Sequence, residues 1–198
     1  MGEKMQHCLL LVLCLSGLVQ RSAALVSWTA VVEISYVNSN NVTEEKVCEC
    51  GVYGRDSPLD KAKGIVTLPK GDPVACNPYD FSNRNSSSPP WIALVKRGNC
   101  TFAEKINAAK RQGAAGVVVY NEDGSGNSTT QMVHPDAKGI VAIMIGNSLG
   151  MNIVRLVKDG TEVQMLIDVG NSQSRPWMDA YWLCFLSITC CLLCKGDL

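Results

Sequence analysis

The stretch 91–120, WIALVKRGNCTFAEKINAAKRQGAAGVVVY, constrains the fold more than any other part of the chain. WIALVKR has the composition of a strand, and TFAEKINAAKRQG carries helix signals at both ends. Thr101 stands at the N-cap, Glu104 three residues later completes a capping box, and Gly113 is the C-terminal stop. Phe102, Ile106 and Ala109 fall on one face, which predicts a helix docked on a sheet with its charged residues turned to solvent. GVVVY (116–120) and IVAIMI (140–145) are apolar runs of the buried-strand type. NSLGMNIVRLVKDG then reads as a second helix, capped by Asn147 or Ser148 and stopped by Gly160. TEVQMLIDVG closes the series with Val163, Met165, Ile167 and Val169 alternating. Strand, helix, strand, strand, helix, strand in this order predicts an α/β core with at least partly parallel strands.

Upstream, WTAVVEISYV (28–37) puts Trp28, Ala30, Val32, Ile34 and Tyr36 on one face and Thr29, Glu33 and Ser35 on the other, a half-buried strand. A polar segment runs to about Cys50, followed by GVYGRDSPLDKAKG, which is rich in turn formers. GIVTL reads as a short strand, and SNRNSSSPP (82–90) as a surface loop. These N-terminal strands are expected to extend or cover the sheet.

The two ends differ from this middle. MGEKMQHCLLLVLCLSGLVQRSAA has the three parts of a signal peptide, with Lys4 in the polar head, an apolar stretch from Cys8 to Val19, and Ser22 and Ala24 at the cleavage site. Residues 1–24 are therefore read as a signal peptide, and the mature chain as facing an oxidising lumen or the cell exterior. WMDAYWLCFLSITCCLLCKGDL ends the chain, with no charge from Ala180 to Cys194 and Tyr181 and Trp182 as interfacial anchors. Its 15 uncharged residues reach only about 22 Å against a hydrocarbon core of ~30 Å, so 180–194 is a short membrane segment. Residues 170–179 are expected to be the tether and 195–198 the tail. If the segment spans, Lys195 is cytosolic and the folded part lumenal; if it fails to span, the product is secreted. The terminal KGDL is a poor match to an ER-retention signal. Charges balance at 18 of each sign, which leaves no electrostatic footprint for nucleic acid.

Cys100 precedes a helix start with Lys96, Arg97 and Lys105 nearby, and helix N-termini and cations lower thiol pKa values. On its residues alone it is open as a nucleophile, a metal ligand or half of a cross-link. Cys48, Cys50, Cys76 and Cys100 make up the thiols of the body and allow three complete pairings. His134 is the single histidine after signal removal; no nucleophile elbow accompanies it, and it reads as a surface or packing residue. NEDGSGNSTTQM (121–132) offers Asn121, Asp123 and Ser125 as oxygen donors, but Met132 stands where a calcium loop needs a bidentate Glu, so a solvated hairpin-type loop is expected. No phosphate-binding glycine motif occurs, and Cys48-Glu49-Cys50 lacks the second pair a zinc site requires. No catalytic residue, cofactor or metal is assigned. N-glycosylation triplets occur at Asn41, Asn85, Asn99 and Asn127; Asn41, Asn85 and Asn127 lie in polar loops, whereas Asn99 abuts a helix cap.

IALVKRGNCTFAEKINAAKRQGAAGVVVYN followed by IVAIMIGNSLGMNIVRLV resembles the protease-associated (PA) domain. WTAVVEISY, GVYGRDSPL, ACNP (75–78) and AIMIGN bring it closest to the Goliath/GRAIL family of membrane-spanning RING ubiquitin ligases. The resemblance implies one PA domain over 25–169 with its core at 64–169, built as a mixed, partly parallel sheet or open barrel flanked by two helices (α/β, α+β). It also implies that Cys100 pairs with Cys76, leaving Cys48 and Cys50 for a local or an intermolecular bridge. In that family the PA domain is a non-catalytic module that captures transmembrane or lumenal proteins, and a cytosolic RING recruits the ubiquitin-conjugating enzyme. A RING needs a zinc-binding Cys/His set, and only four residues follow Cys194. The expected function is therefore target capture in the secretory pathway by a truncated or alternatively spliced form that competes with a full-length ligase. The alternatives are that it works in ubiquitination by joining a RING-containing full-length form, or that it is a product cleared by quality control.

Overall fold

The computed structural model describes residues 26–77, 79–81 and 89–173. Along the chain come β1 (Ser27–Val37), β2 (Thr43–Tyr53), β3 (Ala62–Thr67), β4 (Trp91–Lys96), α1 (Phe102–Arg111), β5 (Gly116–Tyr120), β6 (Val141–Ile145), α2 (Asn147–Lys158) and β7 (Val163–Gln173). The strands lie in the order β1-β2-β6-β5-β4-β3-β7 and close into a barrel. This is an α/β fold with a mixed sheet: β3, β4, β5 and β6 run parallel to one another. The β1–β2, β2–β6 and β3–β7 pairs are antiparallel.

Within the parallel block, β4, β5 and β6 are buried along nearly their whole length because both of their faces are covered. Ile92, Leu94, Val118, Ile143 and Ile145 point into the barrel and join Ala30, Val32 and Ile34 of β1 with Val163, Met165 and Ile167 of β7. Ala93, Val95, Val117, Val119, Ala142 and Met144 lie on the outer side, under Ile106 and Ala109 of α1. Full burial of a Val or Ile side chain is worth roughly 1.5–3 kcal/mol, so this double-sided block carries much of the fold's stability.

Helix α1 has the expected capping box. Thr101 accepts from the Glu104 amide, and the Glu104 carboxylate accepts from the Thr101 amide at 2.8 Å. The outward-charge expectation fails at Lys105, which is fully buried. Positions 102, 105, 106 and 109 follow the i, i+3, i+4, i+7 rule, so Lys105 falls inside the apolar stripe.

Three further differences concern local context. Helix α2 is capped by Gly146 rather than by Asn147 or Ser148, with no side-chain cap bond. A Cβ at Gly146 would lie 2.6 Å from the Asn127 Cα, so the 126–127 backbone leaves no room for a capping side chain. The 121–132 segment is not a hairpin turn, because β5 and β6 on either side of it are parallel and the chain must travel back along the sheet. The polar segment before Cys50 is the strand β2, which lacks an alternating apolar pattern because its first eight residues are exposed or only half-buried. Its pairing with β1, register Tyr36↔Glu44 to Thr29↔Val52, holds it as a strand. In addition β7 runs to Gln173, taking residues 170–173 from the expected tether into the barrel strand.

Candidate interaction site

The carboxyl ends of β4, β5 and β6, which run parallel, converge on one edge of the barrel. Lys96 and Arg97 leave β4 there, Asn121 to Asp123 leave β5, and Gly146 and Asn147 follow β6. Their side chains form a network. Lys96 Nζ reaches Asp123 Oδ2 at 2.5 Å, and Asn147 Nδ2 donates to the Asn121 carbonyl at 2.9 Å and to Asp123 Oδ1 at 3.3 Å. The Lys96 and Asn147 bonds hold the Asp123 carboxyl below its ordinary pKa. Arg97 Nη1 donates to Asn121 Oδ1 at 3.0 Å, and the guanidinium sits 5.9 Å from the Phe102 ring centroid. The buried Asn121 carboxamide also donates to the Ser128 carbonyl at 3.0 Å, which ties down the long 121–140 connection.

Beside this edge the chain turns from β4 into α1 through Asn99, which is exposed and has φ +59°. The Sγ atoms of Cys76 and Cys100 lie 2.10 Å apart, with Cα atoms 5.7 Å apart, so the turn is stapled to the 72–77 loop. Lys105 reaches in from below. Its ammonium donates to the Val74 carbonyl and lies 3.8 Å from Cys76 Sγ. Burial lowers Lys105 to about 8, with Asp72 and Glu104 pulling the other way. The cations around Cys100 thus have structural partners, and its sulfur is bridged rather than free.

A second pair of Sγ atoms, Cys48 and Cys50, lies 2.05 Å apart with Cα atoms 5.2 Å apart. The β1–β2 register slips between Ala30 and Val31, so that Glu49 and Gly51 face them and Cys50 is the extra residue of a bulge. Sequence spacing left this pair's partner open. The bulge, one extra residue in β2 against β1, is a feature of strand pairing and carries no local signature.

His134 is a packing residue. It is fully buried, its Nδ1 is 2.9 Å from the Ala137 carbonyl, and its Nε2 has no hydrogen-bond partner. A Cβ at Gly54 would come within 2.1 Å of that Nε2, so GVYGRDSPL needs glycine where its backbone crosses the imidazole. Asp56 Oδ2 accepts from the His134 amide at 2.9 Å, and the Arg55 amide donates to the Met132 carbonyl at 2.8 Å, which clamps the two loops together. Among the described residues no group of three or more His, Cys, Asp or Glu side chains is placed to hold a metal ion.

Of the glycosylation triplets, Asn41 sits at the exposed tip of the β1–β2 hairpin with φ +61°, and Asn127 is exposed in the 121–140 connection. Asn85 lies outside the described residues, as do the 1–24 segment and the 180–194 apolar run. Concavities occur among the described residues. One of about 180 Å³ lies between Leu94, Tyr120, Met151 and Val154, with Lys96 and Lys158 at its rim. Another, an open groove of about 740 Å³, runs between the hairpin end at Tyr36 to Thr43 and the Asp159–Gln164 turn.

A family model described as the PA domain matches residues 62–153, from the start of β3 to the middle of α2. The chain is 41% identical over 155 residues to RING finger protein 148 of Bos taurus, spanning 78% of this chain and 50% of that one. It is 46% identical over 166 residues to the E3 ubiquitin-protein ligase RNF128 of Xenopus laevis, spanning 82% and 40%. Against the E3 ubiquitin-protein ligase RNF133 of Homo sapiens it is 38% identical over 167 residues, spanning 84% and 44%. The chain thus spans about half the length of these curated relatives, or less. Among solved structures, an aminopeptidase from Aneurinibacillus sp. strain AM-1 shares the fold over 85% of this chain and 40% of that one, with a TM-score of 0.50 and 18% identity.

Proposed function

This chain belongs to the PA-domain proteins of the Goliath/GRAIL family of RING ubiquitin-ligase relatives, and on that premise we propose that its barrel captures protein targets without catalysing their modification. The observation that carries this reading is the pair of bridges, Cys48–Cys50 and Cys76–Cys100, since disulfides persist in oxidising compartments. A lumenal or extracellular domain is separated from the ubiquitin machinery of the cytosol, and what it contributes from there is recognition. Glycans at Asn41, Asn85 and Asn127 and a tether through 180–194 belong to the same reading. Among the described residues no helix is long and apolar enough to cross a membrane.

The test is to express the chain beside a full-length RING-bearing relative and to measure both target capture and target ubiquitination. Capture with falling ubiquitination is expected, because the chain occupies targets that the ligase would modify. Capture with rising ubiquitination favours the reading in which the chain works inside a ligase assembly, as the names of its relatives suggest. A chain that brings down no lumenal or membrane protein sinks both.

A further inference from the structure

We infer that the outer edge of β2, residues 43–49, accepts an added strand from an extended basic polypeptide; this rests on the target-capture reading and names a surface for it. Strand β2 pairs with β1 from Thr43 to Val52 but with β6 only from Gly51 to Tyr53. Among the described residues, the second edge of Thr43–Glu49 therefore has no strand beside it. Those seven residues offer about 23 Å of backbone donors and acceptors, enough for a short added strand. The bulge at Cys50 and the start of β6 pairing set the upper limit of this edge.

The side chains along the edge specify the partner. Thr43, Glu45, Lys46, Val47 and Glu49 are exposed, Val47 at 59%. On the outer face Glu45, Val47 and Glu49 alternate, with Glu33 of β1 directly across from Val47. An incoming strand meets acid, apolar, acid at successive same-face positions, the Glu49 carboxylate also accepting from Thr29 and Asn171, which fits a basic-x-apolar-x-basic pattern led by Glu45. Lys46 belongs to the inner face, where its ammonium lies 5.8 Å from the Tyr36 ring centroid. Glu44 is held below its ordinary pKa by Tyr36 and Asn38, and Glu49 by Thr29 and Asn171, so both keep their charge in a mildly acidic lumen. A second copy of this chain is a poor occupant, since self-pairing gathers three glutamates and one lysine from each edge into one ribbon. Edge charges of this kind also discourage unspecific strand pairing.

The probe is a capped seven-residue peptide alternating threonine with lysine, valine and lysine, titrated into the full chain in mild detergent and followed by backbone NMR. Shifts confined to residues 43–49, with slowed exchange of their edge amides, are expected. N-methylation of the peptide's pairing amides, which keeps its charge, should weaken binding at least tenfold, and Glu45→Lys should do the same. Equal binding of the N-methylated peptide would show attraction by charge alone and overturn the proposal, as would shifts centred elsewhere or self-association through β2 without peptide binding. If targets captured by the unaltered chain are captured equally by Glu45→Lys, the edge is not the docking surface although capture itself stands. Loss of all capture in the unaltered chain strikes instead at the reading beneath.

Discussion

Lys105 sits in the apolar stripe of α1 with its ammonium on the Val74 carbonyl, and its burial has a pH signature. The folded chain releases this proton at about pH 8, whereas the ordinary lysine value is 10.5. Below pH 8 both folded and unfolded chains carry the charge, and the full burial cost is present. Between pH 8 and 10.5 the unfolded state binds more protons, so stability rises with pH across that window. Urea unfolding from pH 7 to 10.5 should show this rise, and Lys105→Met should flatten it; an unchanged slope in the variant would assign the effect to another group. The second residue-scale prediction is at Gly54. Placing a methyl 2.1 Å from His134 Nε2 should cost about 1–3 kcal/mol as overpacking. In a His134→Ala background the same change should cost less, and a denaturant double-mutant cycle measures the difference. Simple addition of the two costs would mean that the loops do not meet as described.

At the scale of elements, the strand-to-helix corner depends on a long staple. The Cys76–Cys100 bridge closes a loop across a sequence separation of 24, and its removal as the paired Ser variant should cost about 3–4 kcal/mol by chain entropy. Non-reducing peptide mapping is the direct check, and a free Cys100 thiol would return the reactive-cysteine reading. How far each element is visible in its own residues varies. Helix α1 is legible because its capping box at Thr101 and Glu104 and its stop at Gly113 all lie in one contiguous stretch of chain. The cap of α2 is not, because the choice of Gly146 over Asn147 depends on the Asn127 backbone, which arrives from another loop. Strand β2 is hidden for a similar reason: exposed on much of its length, it shows no apolar alternation and is held by its neighbour β1.

For the molecule as a whole, acid should loosen the barrel at dispersed points. Glu44, Glu49, Glu104, Asp123 and Asp168 are all held below their ordinary values of 4.5 or 3.8 by hydrogen bonds, chiefly from Tyr36, Thr29, the Thr101 backbone, Lys96 and Lys61. Their folded pKa values being depressed, their stabilisation is complete above the ordinary values and is lost as pH falls through the lowered ones. Thermal melts should therefore hold steady from pH 7 to 5 and decline below about 4.5, and a decline beginning near 6 would point to a different group.

The amino-acid sequence alone determined the elements of the 91–169 core, their alternation, and hence a partly parallel α/β fold, since caps, stops and periodicity are written in residues close along the chain. It also carried the motifs that mark the PA family. Only the tertiary structure decided which strands lie side by side, that β5 and β6 run parallel across a helix-free connection, and that the N-terminal hairpin completes a closed barrel. It decided too that Lys105 is inside, that Cys50 is a bulge, and that β2 keeps an open edge. These outcomes depend on which surfaces remain uncovered once every other element is placed, and no local stretch of residues contains that information.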